Sequence, residues 1–167
     1  MELILWRHAE AEIGEPDAGR VLTAKGHKQA WKMAEWLDAN LPDRCRILVS
    51  PATRAVQTAE ALGRKFKLEA ELAPECSVDQ ALTAANWPDN REPVLVVGHQ
   101  PTLGRIAARL IGGSEQDWTI RKANAWWIVR REHGDGSTAT DPADHYLRAV
   151  MSPELVTNWS GNNRGKS

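Results

Sequence analysis

Two cysteines, one tyrosine and one phenylalanine in 167 residues set the first limits on this chain. Cys45 and Cys76 form no CxxC pair and no metal-ligand spacing, so they read as free thiols of a reducing cytoplasm rather than as a disulfide framework. No apolar run approaches the ~18 residues of a membrane span. The opening run Leu3–Trp6 is too short for the core of a signal peptide. Charge of one sign is also lacking. With 21 Lys+Arg against 22 Asp+Glu the net charge is −1, which removes the electrostatic reason for bulk nucleic-acid binding and leaves room for a local basic pocket. There is no internal repeat, no low-complexity run and no linker. Membrane proteins, secreted disulfide scaffolds and large multidomain machines are excluded, and a cytoplasmic protein with one core is expected. Tryptophan fills the aromatic gap with eight residues. Trp6, Trp126 and Trp127 lie in strand-like runs and are expected in the core. Trp31, Trp36, Trp87, Trp118 and Trp159 stand in more polar context and are expected to be partly exposed.

The hydrophobic pattern alternates between strand and helix. Strands are expected at residues 2–7, 46–50 and 93–98, with a short one near 68–72. Helices follow from Thr23 to about Asn40, from Pro51 with Ala55, Ala59, Leu62 and Phe66 on one face, from the Ser77–Gln80 capping box to about Trp87, and after Pro101 to the Gly112-Gly113 stop. Beyond that point the chain turns to strands at 125–132 and 145–151 around a long polar hairpin loop, 133–144. This predicts an α/β three-layer sandwich: a mostly parallel central sheet, helices on both faces and an antiparallel C-terminal hairpin at one edge. One domain over 1–153 and a polar tail over 154–167, frayed over 160–167, are expected.

Each strong strand ends in a polar cluster: Arg7-His8, Ser50-Pro51 with Arg54 one helical turn on, and His99-Gln100. Ligands of open parallel sheets bind at the carboxyl ends of the strands. If these strands are neighbours, two arginines and two histidines converge there. Arginine forks and a helix N-terminus suit a phosphoryl dianion. A histidine among cations has its pKa pushed down, and a neutral imidazole is a competent nucleophile toward phosphorus. The pattern leaves open which histidine attacks. His27, His133 and His145 read as structural.

These motifs resemble those of the histidine phosphatase superfamily, the phosphoglycerate mutase-like enzymes. Leu3–Ala11 is similar to the amino-terminal Arg-His signature, Leu22–Gly26 to the Leu-Thr element, Ser50–Ala59 to the Ser-Pro…Arg-Ala…Gln-Thr-Ala element, and Val97–Pro101 to the second-histidine element, all in family order. The short, SixA-type phosphohistidine phosphatases are the most similar kind. The resemblance implies His8 as the nucleophile, and Arg7, Arg54 and His99 as the groups that hold the phosphoryl oxygens. Arg20 at the rim, Gln100 and Ser50 are implied as further substrate-binding residues. No metal and no cofactor are implied. Ala9 stands where many members have glycine. No carboxylate matches the general acid of the larger members. Glu10, Glu12, Glu71, Glu75 and Asp79 are candidates, none convincing.

A phosphohistidine leaving group has a reference pKa near ~6.5 and needs an acid less than an alkoxide does. With no room for a lid, an open site suits a phosphoryl group displayed on a protein. The expected substrate is a phosphorylated protein, a histidine-containing phosphotransfer domain for example, with no nucleic acid, no membrane, and a monomer or weak dimer as the working form. Three alternatives share the residues. These are a phosphatase or mutase of a small phosphorylated metabolite, a non-catalytic phosphoprotein-binding module, and a metallohydrolase using His8, His99, Glu10 and Glu12. The last is disfavoured by its spacing and by two arginines that would repel a cation.

Overall fold

The computed structural model describes residues 1–132 and 142–156. Six strands form one sheet: β1 (Glu2–Arg7), β2 (Arg46–Val49), β3 (Lys67–Leu68), β4 (Val94–Gly98), β5 (Ala125–Arg130) and β6 (His145–Met151), in the order β3-β2-β4-β1-β5-β6. The first four run parallel, whereas β5 pairs antiparallel with β1, and β6 with β5. The expected edge hairpin is therefore present. The expected loop at 133–141, the frayed end at 160–167 and Trp159 lie outside the described residues.

Period-two alternation sends successive side chains to opposite faces. Ile4 and Trp6 enter one buried cluster with Met33, Leu37, Ala55 and Ala59 of helices α1 (Ala24–Asn40) and α2 (Thr53–Glu60). Leu3 and Leu5 enter a second with Val78, Ala81, Leu103 and Ile106 of α3 (Val78–Ala84) and α4 (Thr102–Ala107). These are the three expected layers. The α4 helix runs on through a π-helical turn, Ala108–Gly112, and stops at Gly113 in the left-handed region. Pro153 is buried, and Val156 packs against the first cluster.

Several local expectations are corrected. The α2 helix starts at Thr53, two residues after Pro51, because the Ser50 hydroxyl accepts the Ala52 N–H and turns the chain first. It ends at Glu60, so Leu62 and Phe66 pack on the core from the following turn and loop. The strand expected at 68–72 is only two residues long. It is an edge strand with both side chains exposed, and a 3₁₀ turn at Ala70–Leu72 buries Leu72 instead. The α3 helix ends at Ala84 rather than near Trp87, because Pro88 disfavours helical backbone at the residue before it. The β5 strand stops at Arg130. Trp6 and Trp127 are buried as expected, but Trp126 is only half-buried, and Trp87 is buried in the second cluster.

Candidate active site

Strand register decides which side chains meet. Arg7 lies opposite Gly98, and Val49 opposite Val97, so the next residues of three adjacent strands emerge at one level. The His8 N–H bonds the Gly98 carbonyl at 3.1 Å and the Ser50 N–H bonds the Val97 carbonyl at 3.0 Å. His8, Ser50 and His99 are consequently grouped at the carboxyl end of the sheet, with all three buried. The two imidazole rings stand 5.1 Å apart between centroids.

His8 is oriented by its neighbours. Its Nδ1 lies 2.8 Å from the Ala9 carbonyl, which accepts a proton from that nitrogen and leaves Nε2 as the unprotonated atom. The backbone around it is clamped on both sides. The Ala9 N–H donates to the Thr58 hydroxyl at 3.0 Å, and that hydroxyl donates to the Arg54 carbonyl at 2.7 Å. The His8 carbonyl accepts from Ala123 N–H, and the Arg7 N–H donates to the Asn124 carbonyl. Ala9 is fully buried, so the fold accommodates its methyl group.

His99 is set by Ser50. The hydroxyl accepts from Ala52 N–H and lies 2.7 Å from His99 Nε2. When the hydroxyl donates to Nε2, the ring proton of His99 sits on Nδ1. Among the described residues, His99 Nδ1, Arg7 Nε and Arg54 Nε are buried with no hydrogen-bond partner in the protein. His99 lies beside His8 and the charges of Arg54 and Arg7 reach it, an arrangement suited to the oxygens of a phosphoryl group.

The electrostatics follow from burial and charge. Burial, with Arg54, Arg7 and Arg20 adding repulsion, lowers the His8 pKa from 6.5 to about 4 against the opposing bond to Ala9. Burial first, then His8 and Arg54, lower that of His99 to about 3. Both rings are neutral at pH 7.

The structure places the remaining sequence candidates less centrally. Arg20 donates from Nε to the Glu12 carbonyl and from Nη1 to Asp17, and so borders the site. Gln100 is spent on the scaffold: its amide donates to the Trp118 carbonyl and accepts from Gly104 N–H. Ser50 is fully buried and acts on His99. Of the acid candidates, Glu10 accepts from the Thr23 hydroxyl beside Arg7, Glu12 offers its backbone to Arg20, Glu71 bonds Gln80, Asp79 pairs with Arg109, and Glu75 is exposed. None contacts the histidine pair in this arrangement.

Sequence reasoning missed Asp17 and Thr58. Asp17 bonds Arg54 through its backbone oxygen at 2.9 Å and its carboxylate at 3.2 Å, and also holds Arg20 at 3.1 Å. Arg20 and Arg54 keep its carboxyl below the usual range. Its three-residue spacing from Arg20 was the available signal. Thr58 stands one helical turn after Arg54 and was detectable only as part of the Gln-Thr-Ala motif. Among the described residues no group of three or more His, Cys, Asp or Glu is placed to hold a metal ion.

The described helices include none long and apolar enough to cross a membrane. A family model for the histidine phosphatase superfamily (branch 1) matches residues 3–77. The phosphohistidine phosphatase SixA of Escherichia coli strain K12 is 33% identical over 146 residues, covering 82% of this chain and 90% of that protein. A SixA homologue of Haemophilus influenzae is 34% identical over 129 residues, covering 67% of this chain and 78% of its own length. In three dimensions, the protein histidine phosphatase SixA complexed with tungstate superposes with a TM-score of 0.73 at 27% identity, over 92% of this chain and 97% of that one.

Proposed function

The chain belongs to the histidine phosphatase superfamily, among its SixA-type phosphatases, and from that premise we propose that it is a metal-independent phosphohistidine protein phosphatase. The observation that carries this reading is the neutral imidazole of His8, with Nδ1 tied to the Ala9 carbonyl, His99 beside it and the charges of Arg54 and Arg7 upon it. In the first step the His8 Nε2 lone pair attacks phosphorus. The substrate P–N bond breaks, its electron pair goes to the leaving imidazole nitrogen, and that nitrogen takes a proton from solvent. In the second step water attacks the phosphorus of phospho-His8, the P–Nε2 bond breaks, and inorganic phosphate leaves. Arg7, Arg54 and His99 Nδ1–H hold the equatorial oxygens as charge builds, and the removal of any one such donor typically slows turnover ~100-fold or more. A SixA that binds tungstate, a tetrahedral oxyanion, supports the assignment of this pocket to phosphoryl groups.

The arginines and the aimed N–H groups do the charge stabilisation that a metal ion does elsewhere, so chelators should leave the rate unchanged. Among the described residues no carboxylate bonds to His8 or His99, and the ready departure of imidazole makes an acid dispensable for an N–P substrate. A panel of sugar phosphates, nucleotides and a histidine-phosphorylated transfer domain tests the reading, with His8→Ala as control. The phosphohistidine protein should be the best substrate, with an acid-labile, base-stable label trapped on His8. Higher efficiency on one metabolite, or a label on another residue, overturns it.

A further inference from the structure

Beside the catalytic group lies a second, open cavity of about 360 Å³ that the chemistry above does not use. Arg7 lines it from the catalytic side, and Lys25, Arg121 and Lys122 from the other, with Glu10 and Glu154 as its carboxylates. Four cations face two carboxylates there, so the acids offset the bases only in part. Glu10 is engaged by the Thr23 hydroxyl at 2.8 Å, and among the described residues no carboxylate forms an ion pair with Lys25, Arg121 or Lys122, all three exposed. A balanced protein of net charge −1 therefore concentrates positive charge at one place.

Local helix energetics do not account for it. Lys25 stands in the first turn of α1, whose first turn contains no acidic residue. The N-terminal end of a helix favours anions and disfavours cations. Lys28 and Lys32 of α1, each with an interaction of its own, line an adjoining depression with Lys25 and Glu154. From Lys25 to Lys32 the helix advances about 10 Å. One extra phosphate of a small metabolite would not span that distance, whereas the surface of a protein would.

We propose that this basic strip, with Lys25, Arg121 and Lys122 at its centre, is the docking surface for an acidic face of the phosphoprotein substrate, adjacent to its phosphohistidine. The inference rests on the function proposed above and names the surface chemistry of the partner. Charges of this kind act through encounter and KM more than through the chemical step, and salt screens them over about 8–10 Å.

The test compares wild type with K25E/R121E/K122E on three substrates: a histidine-phosphorylated transfer domain with acidic residues flanking its histidine, the same domain with those residues neutralised, and phosphoimidazole. The triple variant should raise KM for the acidic domain about tenfold, within the range of electrostatic steering, at nearly unchanged kcat. Its salt dependence should flatten. Turnover of phosphoimidazole and of the neutralised domain should stay as in wild type. The milder K25Q/K122Q should give a smaller shift in the same direction. An unchanged KM for the acidic domain overturns the proposal, as does an equal loss on phosphoimidazole or on the neutralised domain. If wild type hydrolyses phosphoimidazole but neither phosphodomain, the proposed function itself fails, a result separable from failure of the docking surface.

Discussion

A nucleophilic imidazole must be neutral, and His8, the proposed nucleophile, is kept so by burial more than by its charged neighbours. In the free enzyme, NMR titration of His8 should give a midpoint of about 4, and a midpoint near the ordinary 6.5 would contradict the buried geometry. Ser50→Ala removes the hydrogen-bond partner of His99 Nε2 and frees that ring. We expect kcat to fall about tenfold or more with substrate KM little changed, measured by steady-state kinetics. Asp17→Asn takes away the carboxylate that Arg54 and Arg20 now hold. Because Asp17 is largely exposed, the effect is modest, and inhibition by inorganic phosphate should strengthen about two- to fivefold. Arg7, His8, Arg54 and His99 were legible in the sequence because each sits at a strand end or one turn into the next helix. Asp17 was not, since a loop carboxylate has no periodicity to mark it. The roles expected of Gln100 and Ser50 as direct ligands were drawn from motif position. Hydrogen bonds inside the scaffold, invisible in a sequence, occupy both side chains.

Among the elements, α1 holds the loop after His8 through a close approach at one glycine. A Cβ on Gly26 would come within 2.0 Å of the Glu10 carbonyl oxygen. Gly26→Ala must push away the backbone two residues from the nucleophile. It should lower both Tm and kcat, whereas an alanine at Gly14, where nothing lies within 4 Å, should change neither. Gly104 has the same relation to the Trp118 carbonyl, at 1.7 Å, so the Gln100 amide and a missing side chain together seat that loop against α4. Strands and helices were readable where burial imposes a period, as in α1 with its Thr23 cap. Their ends were less so. A prolyl ring at Pro88 and a serine hydroxyl at Ser50 decide where α3 stops and where α2 starts, and the 3₁₀ turn at Ala70–Leu72 cuts β3 short. Those are single contacts rather than patterns.

At the scale of the molecule, the neutral histidines make the fold sensitive to acid. In the unfolded chain they take up protons near 6.5; in the folded one His8 does so only at about 4 and His99 at about 3. The unfolded state therefore binds more protons across that window. Stability is retained above pH 6.5 and is lost as pH falls toward 4. For His8 alone the loss is about 3 kcal/mol at ~1.4 kcal/mol per pKa unit. Thermal melts of His8→Ala should accordingly decline less between pH 6.5 and 4 than those of wild type. The layered architecture was legible from the alternation of strand and helix, and convergence of the site needed only that β2, β4 and β1 be neighbours, which they are.

That neighbour relation has a kinetic side. His8 is joined to Gly98 across the sheet and to Ala123 beyond it, while Ser50 meets His99 from 49 positions away. Contacts so distant along the chain form late in folding, after the loops between them have closed. No fragment or half-folded intermediate can assemble the nucleophile with its oxygen donors. Catalytic competence and the global fold must then appear and vanish together, and in a denaturant titration the loss of activity should coincide with the loss of tryptophan fluorescence.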